Sequence, residues 1–267
     1  AGNTIPVQTR SVMVDTSVPE GTVDVPLETV KLNGTKDLIV SITAKDTSDT
    51  SSAGSGVSSL LLRVGSSNFS SNTIAATRIS GNADEGVWTA TIPAAQFLAL
   101  SNGQKTVYAR VRDGVNQDAV ISFNILIDKT PPSFVWTLPS AGSTLNKTVN
   151  LSGTASDAQG LDPDLPIAFE VYNKSTDTWE VLAGASGSNS WTQSLDTLLY
   201  DSASWDSDTG TAGIQLQVRG TAKDEAGNTS QISRSFSLDQ NTDRPVVVLN
   251  NIDVATLSTL KLTRTIY

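Results

Sequence analysis

Apolar side chains recur at every second position through much of the chain, the mark of strands with one face buried and one in water. The clearest run, Leu38, Val40, Ile42 and Ala44, ends at Asp46. Moving along by 157 − 46 = 111 residues gives Val149, Leu151, Gly153 and Ala155, ending at Asp157. A further 111 gives Leu260, Leu262, Arg264 and Ile266. Two other aspartate pairs keep the offset: Asp113 with Asp224 (224 − 113 = 111) and Asp128 with Asp239 (239 − 128 = 111). Self-similarity at a fixed period identifies a tandem array. Trp88 and Trp191 break the offset (191 − 88 = 103), which puts insertions and deletions in the middle of the unit.

The aspartates Asp15, Asp128 and Asp239 mark the unit boundaries. Residues 1–14 read as the last strand of a preceding repeat, 15–128 and 129–239 as two complete repeats, and 240–267 as the first strands of a following, truncated repeat. In the first complete unit strands are predicted over 22–25, 38–44, 58–64, 75–79, 87–92, 105–112 and 120–127. In the second they fall at 134–138, 148–156, 167–173, 179–182, 190–195, 214–222 and 230–238. Single helical turns are predicted at 94–100, after Pro93, and at 196–200. Seven short strands per unit, separated by Gly, Asn and Asp turns, predict an all-β chain of tandem immunoglobulin-like antiparallel β-sandwiches. The end pieces, a strand at 10–14 and a hairpin at 246–267, lack sandwich partners and present edges that tend to pair with something else.

The unit junctions share a pattern. One carries Asp224, Ala226, Gly227, Asn228 and Ser230 ahead of an alternating strand; the other carries Asp128, Lys129, Thr130, Pro131 and Pro132 after one. The combination resembles the bacterial immunoglobulin-like repeats, which occur in long arrays in cell-surface proteins, giant adhesins included. The resemblance covers nearly the whole chain. Two departures stand out: the turn after Asp113 lacks the Gly-Asn pair, and two extra residues separate Asp239 from Pro245. The resemblance implies an array within a longer surface or secreted protein. It also implies that junctions can hold Ca²⁺ and stiffen on binding it.

Composition narrows the chemistry. The 267 residues contain 18 Lys and Arg against 27 Asp and Glu, a net charge of −9, with no Cys and no His. That balance disfavours nucleic acid and anionic membranes as partners and leaves divalent cations and basic proteins open. Disulfides, thiolate nucleophiles, imidazole bases and His/Cys zinc sites are excluded. No apolar run reaches the ~18–20 residues of a membrane span, so direct membrane insertion of this segment is not expected. An enzyme would need paired carboxylates or a Ser–Lys arrangement, and the acidic residues do not cluster away from the repeat pattern.

Sandwich topology makes a geometric prediction. The first strand begins, and the second and sixth strands end, at one pole of the unit. Asp15, Asp46 and Asp113 are expected to gather at that pole of the first unit, and Asp128, Asp157 and Asp224 at that of the second. Three carboxylates beside main-chain carbonyls suit Ca²⁺, with Asp49, Asp162 and Asp164 as further ligands from the intervening loops. The competing reading is local: aspartate in a turn caps nearby backbone N–H groups and needs no metal. Trp88 and Trp191 are expected in the core. Trp136, Trp179 and Trp205 lack counterparts in the first unit; core or inter-strand packing is the first reading of such large aromatics, and a glycan- or protein-binding surface is the alternative to inspect them for. Lys31, Lys36, Lys45 and Lys105 raise a Lys–Asn isopeptide cross-link, which would require burial. The functional expectation is a non-catalytic stalk of an extracellular or bacterial cell-surface protein (periplasmic as the other compartment), supporting adhesion. Each unit would add about 40 Å of length, from strands of ~7–9 residues at ~3.3 Å each plus loops. Its partners would be the neighbouring repeats and a host or surface protein or glycan. The alternatives are a glycan- or protein-binding module, or an accessory region of a secreted carbohydrate-active enzyme.

Overall fold

Alternating sequence becomes two β-sandwiches in succession, seen here in a computed structural model. The structure describes residues 14–47, 54–182, 184–185, 187, 189–200, 205 and 214–240. The terminal strand predicted at 10–14 (Val14 apart), the hairpin at 246–267 and Asp49 lie outside the described residues.

The first sandwich contains β1 (Glu20–Val25), β2 (Val30–Leu32), β3 (Leu38–Lys45), β4 (Val57–Val64), β5 (Ile74–Ala75), β6 (Thr77–Gly81), β7 (Glu85–Ile92), α1 (Ala95–Leu98), β8 (Gly103–Asp113) and β9 (Asp118–Ile127). One sheet runs β1-β3-β7-β6 and the other β2-β9-β8-β4-β5. The second contains β10 (Ser133–Leu138), β11 (Thr144–Leu145), β12 (Thr148–Ser156), β13 (Ile167–Asn173), β14 (Thr178–Val181), β15 (Ser190–Asp196), a 3₁₀ turn at Thr197–Tyr200, β16 (Ile214–Lys223) and β17 (Thr229–Leu238). Its sheets run β10-β12-β15 and β11-β17-β16-β13-β14. This is the immunoglobulin arrangement of two facing sheets with strands that cross between them.

Two features depart from the predicted strands. First, each opening strand ends in a bulge and a cis proline, Val25-Pro26 in one unit and Leu138-Pro139 in the other. The chain then crosses to the opposite sheet and pairs in parallel with the last strand, β2 with β9 and β11 with β17. Two or three residues are too few to show a period, so these parallel strands leave no trace in the alternation. Second, the strand predicted at 75–79 is split between sheets, β5 pairing with β4 and β6 with β7. The second unit has no such crossing among its described residues, and β14 pairs with β13.

The cores are the inner faces of the alternating strands. In the first unit Val40, Ile42 and Ala44 of β3 face Val107, Ala109 and Val111 of β8, all buried. Fully burying each Val or Ile contributes about 1.5–3 kcal/mol, which is what holds the sheets together. The second core is built around aromatic rings. Trp136 meets Phe169 edge-on at 5.3 Å and Trp191 at 6.2 Å, and Phe169 lies 5.1 Å from Trp191. The exchange is legible position by position. Val23 pairs with Ile42, and Ile42 with Trp88; in the second unit Trp136 pairs with Gly153, and Gly153 with Trp191. Gly153 is the counterpart of Ile42 (153 − 42 = 111). A Cβ there would run into Trp191 and the Val135 carbonyl, so the glycine is what admits the second tryptophan.

Candidate metal centres

Antiparallel pairing delivers each aspartate of a set to the same place. Asp46 follows β3 and Asp113 ends β8, while Asp15 lies ahead of β1; Asp157 follows β12 and Asp224 follows β16, while Asp128 lies ahead of β10. Carboxylate oxygens of Asp15, Asp46 and Asp113 lie within 4.8 Å of one another, and those of Asp128, Asp157 and Asp224 do the same. Five of the six are buried; Asp157 is half-buried.

Every one of the six carboxylates accepts hydrogen bonds. Asp15, Asp46 and Asp224 do so through both oxygens: Asp15 Oδ2 from Ser55 N (2.7 Å), Asp46 Oδ1 from Ser17 Oγ (3.2 Å) and Asp224 Oδ2 from the Asn228 amide (2.8 Å). Asp15 Oδ1 accepts from Ser17 N (2.9 Å), as Asp128 Oδ1 accepts from Thr130 N (3.0 Å). Asp46 Oδ2 accepts from Gly56 N, and Asp157 Oδ1 from Gln159 N, both at 2.7 Å. Asp113 Oδ1 accepts from the N–H groups of Val115 and Gln117, and Asp224 Oδ1 from that of Asn228. The tight turn after Asp224 closes through Gly227 at φ +94°, a backbone conformation costly for residues with a Cβ. These are the caps that the local reading requires.

Capping leaves two atoms over. Asp113 Oδ2 and Asp128 Oδ2 are buried without a hydrogen-bond partner, one in each cluster. Among the described residues no Lys or Arg forms an ion pair with any of the six aspartates. Three carboxylates this close repel: at 4.8 Å and an effective dielectric constant near 20, a pair of like unit charges costs about 3.5 kcal/mol before solvent screening. The donor set is entirely oxygen, anionic and partly unsatisfied, and it therefore fits a hard divalent cation such as Ca²⁺. Asp15 is tuned the same way; hydrogen bonds from Ser17 and Ser55 hold its pKa down at about 2, so it stays ionised. Asp162 and Asp164 do not join. Asp162 pairs with Lys223 at 2.6 Å and accepts from the N–H groups of Asp164 and Leu165 in its own turn.

A second shared feature escaped the reading of the sequence. The side-chain amide of Gln117 donates to the carbonyl of Asp15, and that of Asn228 to the carbonyl of Asp128, each at 3.0 Å. These residues are also one period apart (228 − 117 = 111), and that offset was the available signal. Between the units, the linker is tied to both sides. Lys129 Nζ donates to the carbonyls of Leu98 and Leu100, and its N–H to Asn102 of the first unit. Ser230 Oγ of the second unit donates to the Pro132 carbonyl at 2.6 Å.

The other sequence candidates sort by burial. Trp136 is only 3% exposed and Trp205 packs edge-on against Tyr200, so both belong to packing. Trp179 is half-buried on the outer sheet face, opposite Tyr172, with the Arg219 guanidinium 4.2 Å from its ring. None of the four candidate cross-linking lysines is buried. Lys31, Lys45 and Lys105 bond to Glu225, Glu20 and Ser101 instead of a core asparagine.

No family model matches the chain, and no curated protein matches it. Solved structures do. A 1.5-MDa bacterial ice-binding adhesin aligns over 85% of this chain and 66% of its own, at 16% identity and a TM-score of 0.40. A tetra-tandem repeat from the extending region of a large adhesion protein aligns over 84% of this chain and 50% of its own, at 19% identity and 0.29. The tandem Ig repeats of Dlar align over 84% of this chain and all of their own, at 13% identity and 0.24. The chain thus spans between a half and two thirds of the two adhesion structures. Likeness at that level adds no argument beyond the topology. The class is defined by the sheets themselves: the chain is all-β, a tandem of immunoglobulin-like sandwiches. Among the described residues no helix is long and apolar enough to cross a membrane.

Proposed function

We propose that this chain is a non-catalytic stalk segment of a cell-surface or secreted multi-repeat protein of adhesin type, in which each unit takes up Ca²⁺ at the pole facing its predecessor. The observation that carries the reading is the repetition, one period apart, of three clustered carboxylates with one buried oxygen left unpaired. Asp15, Asp46 and Asp113 would hold one ion and Asp128, Asp157 and Asp224 the other, with nearby carbonyls and water completing the 6–8 oxygens that Ca²⁺ takes. A bound dication would cancel the repulsion and tie the linker aspartate to two strand ends. The linker, already bonded to both neighbours, would then transmit direction from one unit to the next. Neighbouring repeats are the immediate partners, and a host or surface protein or glycan would be met elsewhere on the parent.

Calorimetric titration of the chelator-treated protein with Ca²⁺ should reveal two sites, accompanied by a higher melting temperature and a narrower spread of shapes in small-angle scattering. No change in either on adding chelator would overturn the calcium part. The alternative binding-module reading now rests on Trp179; a glycan or protein ligand whose binding disappears in Trp179→Ala would favour it.

A further inference from the structure

We infer that Lys31 is the key by which the first unit is fitted to the pole of the second, a contact particular to this joint and not a property of every joint in the array. Lys31 Nζ donates to the Gln159 carbonyl at 2.5 Å and pairs with the Glu225 carboxylate. Both acceptors belong to the loops that carry the second carboxylate cluster. Gln159 N–H is the donor to Asp157, and Glu225 follows Asp224 directly, with its own N–H donating to the Gly160 carbonyl at 3.2 Å. One ammonium from the preceding unit therefore grips two of the three arms of the site.

Its placement is fixed by the fold. Lys31 sits on β2, paired with Leu126 of β9, and the next residue, Leu32, accepts from Asp128 N–H at 2.9 Å. The lysine and the linker aspartate thus leave the first unit side by side. Beyond them the joint is open, a cleft of about 300 Å³ lined by Lys36, Asp37, Asp162, Lys223 and Gly227 among others. A bridging side chain matters more where the surrounding faces do not pack.

The neighbouring repeat positions lack both halves of the contact. On β11, Thr144 pairs with Ser237, and 237 − 126 = 111, so Thr144 stands where Lys31 does. On the pole of the first unit, Gly114 stands where Glu225 does (225 − 114 = 111). The second unit's pole is therefore shaped for a predecessor that presents a cation at this point of its short parallel strand, and the first unit's pole is not. Within the array reading, on which this inference rests, such pairs determine which repeat sits comfortably behind which.

The test is a charge exchange in the full chain, which has no native cysteine, with spin labels on cysteines placed at the exposed, equivalent positions Ser122 and Ser233. Lys31→Glu and Glu225→Lys should each replace a single narrow inter-label distance with a broad distribution, and the double exchange should restore a narrow one. Lys31→Gln, which cannot repel Glu225, should broaden it without altering the melting of either unit. Single exchanges that leave the distribution unchanged, or a double exchange as broad as the singles, would overturn the inference. Running the series in calcium and in chelator separates the two readings: failure of the calcium site shows as identical results in both, while failure of the key shows as no rescue in either.

Discussion

Replacing Asp128 by asparagine distinguishes a cation site from a capped turn, because the two predict different signs. Asp128 is buried, its Oδ2 lacks a partner, and carboxylate oxygens of Asp157 and Asp224 lie within 4.8 Å. Without a cation, two like-charge pairs at that distance cost 332/(20 × 4.8), about 3.5 kcal/mol each, or about 7 kcal/mol together. Solvent around the half-buried Asp157 screens part of this, leaving about 2 kcal/mol for asparagine to relieve. Asparagine preserves the cap, since its carbonyl oxygen can still accept from Thr130 N–H. With calcium the balance reverses. The wild type gains about 2.7 kcal/mol at a calcium concentration 100 times the dissociation constant. Asp128→Asn, with an anionic ligand missing, forfeits most of that. At about 4–8 °C per kcal/mol for a unit near 100 residues, both shifts are readily measured by scanning calorimetry. The mutant should melt above the wild type in chelator and below it in millimolar calcium. A shift of the same sign and size in both conditions would refute the cation argument and leave Asp128 as a turn residue.

Two further outcomes are expected. The Asp15 carboxyl is depressed from 3.8 to about 2 by its bonds from Ser17 and Ser55, so its stabilisation is complete above pH 3.8 and is lost as pH falls through about 2. In chelator, Asp15→Asn should flatten the acid limb of melting temperature against pH over that window; an unchanged limb would assign the acid sensitivity to other groups. Gly153→Ala should destabilise the second unit by at least about 1–3 kcal/mol, because its Cβ meets both Trp191 and the Val135 carbonyl; in a Trp191→Val background the cost should shrink to the part owed to the carbonyl, as a double-mutant cycle in urea would measure.

The architecture was legible because it is periodic. Alternation located the long strands, and the 111-residue offset, combined with antiparallel order, was enough to bring together six aspartates scattered over more than 200 positions, from Asp15 to Asp224. What could not be read lacks a period. The parallel strands β2 and β11 are too short to alternate, and the split of the strand predicted at 75–79 depends on where the chain crosses between sheets. For Trp136, which has no counterpart in the first unit, the spacing left core packing and an exposed surface both open; the structure buries it opposite Gly153, seventeen residues on by sequence (153 − 136 = 17) but directly across the sheet. The unpaired oxygens of Asp113 and Asp128 are a property of packing around the poles that no spacing encodes. Lys31 and Glu225 occupy non-equivalent places in their repeats, so the offset that exposed everything else concealed them.

The Trp136–Gly153 exchange bears on how neighbouring repeats avoid one another while folding. Tandem sandwiches of the same topology are prone to trade strands, each completing the other's sheet. Here a trade would cost stability in both directions. The opening strand of the first unit would bring Val23 to a place shaped around Trp136 and leave a void under Trp191. The opening strand of the second would bring an indole onto Ile42, where no glycine makes room. Two cores of like outline and opposite fill therefore penalise an exchange by the cost of a cavity in one unit and overpacking in the other, which favours each strand in its own unit.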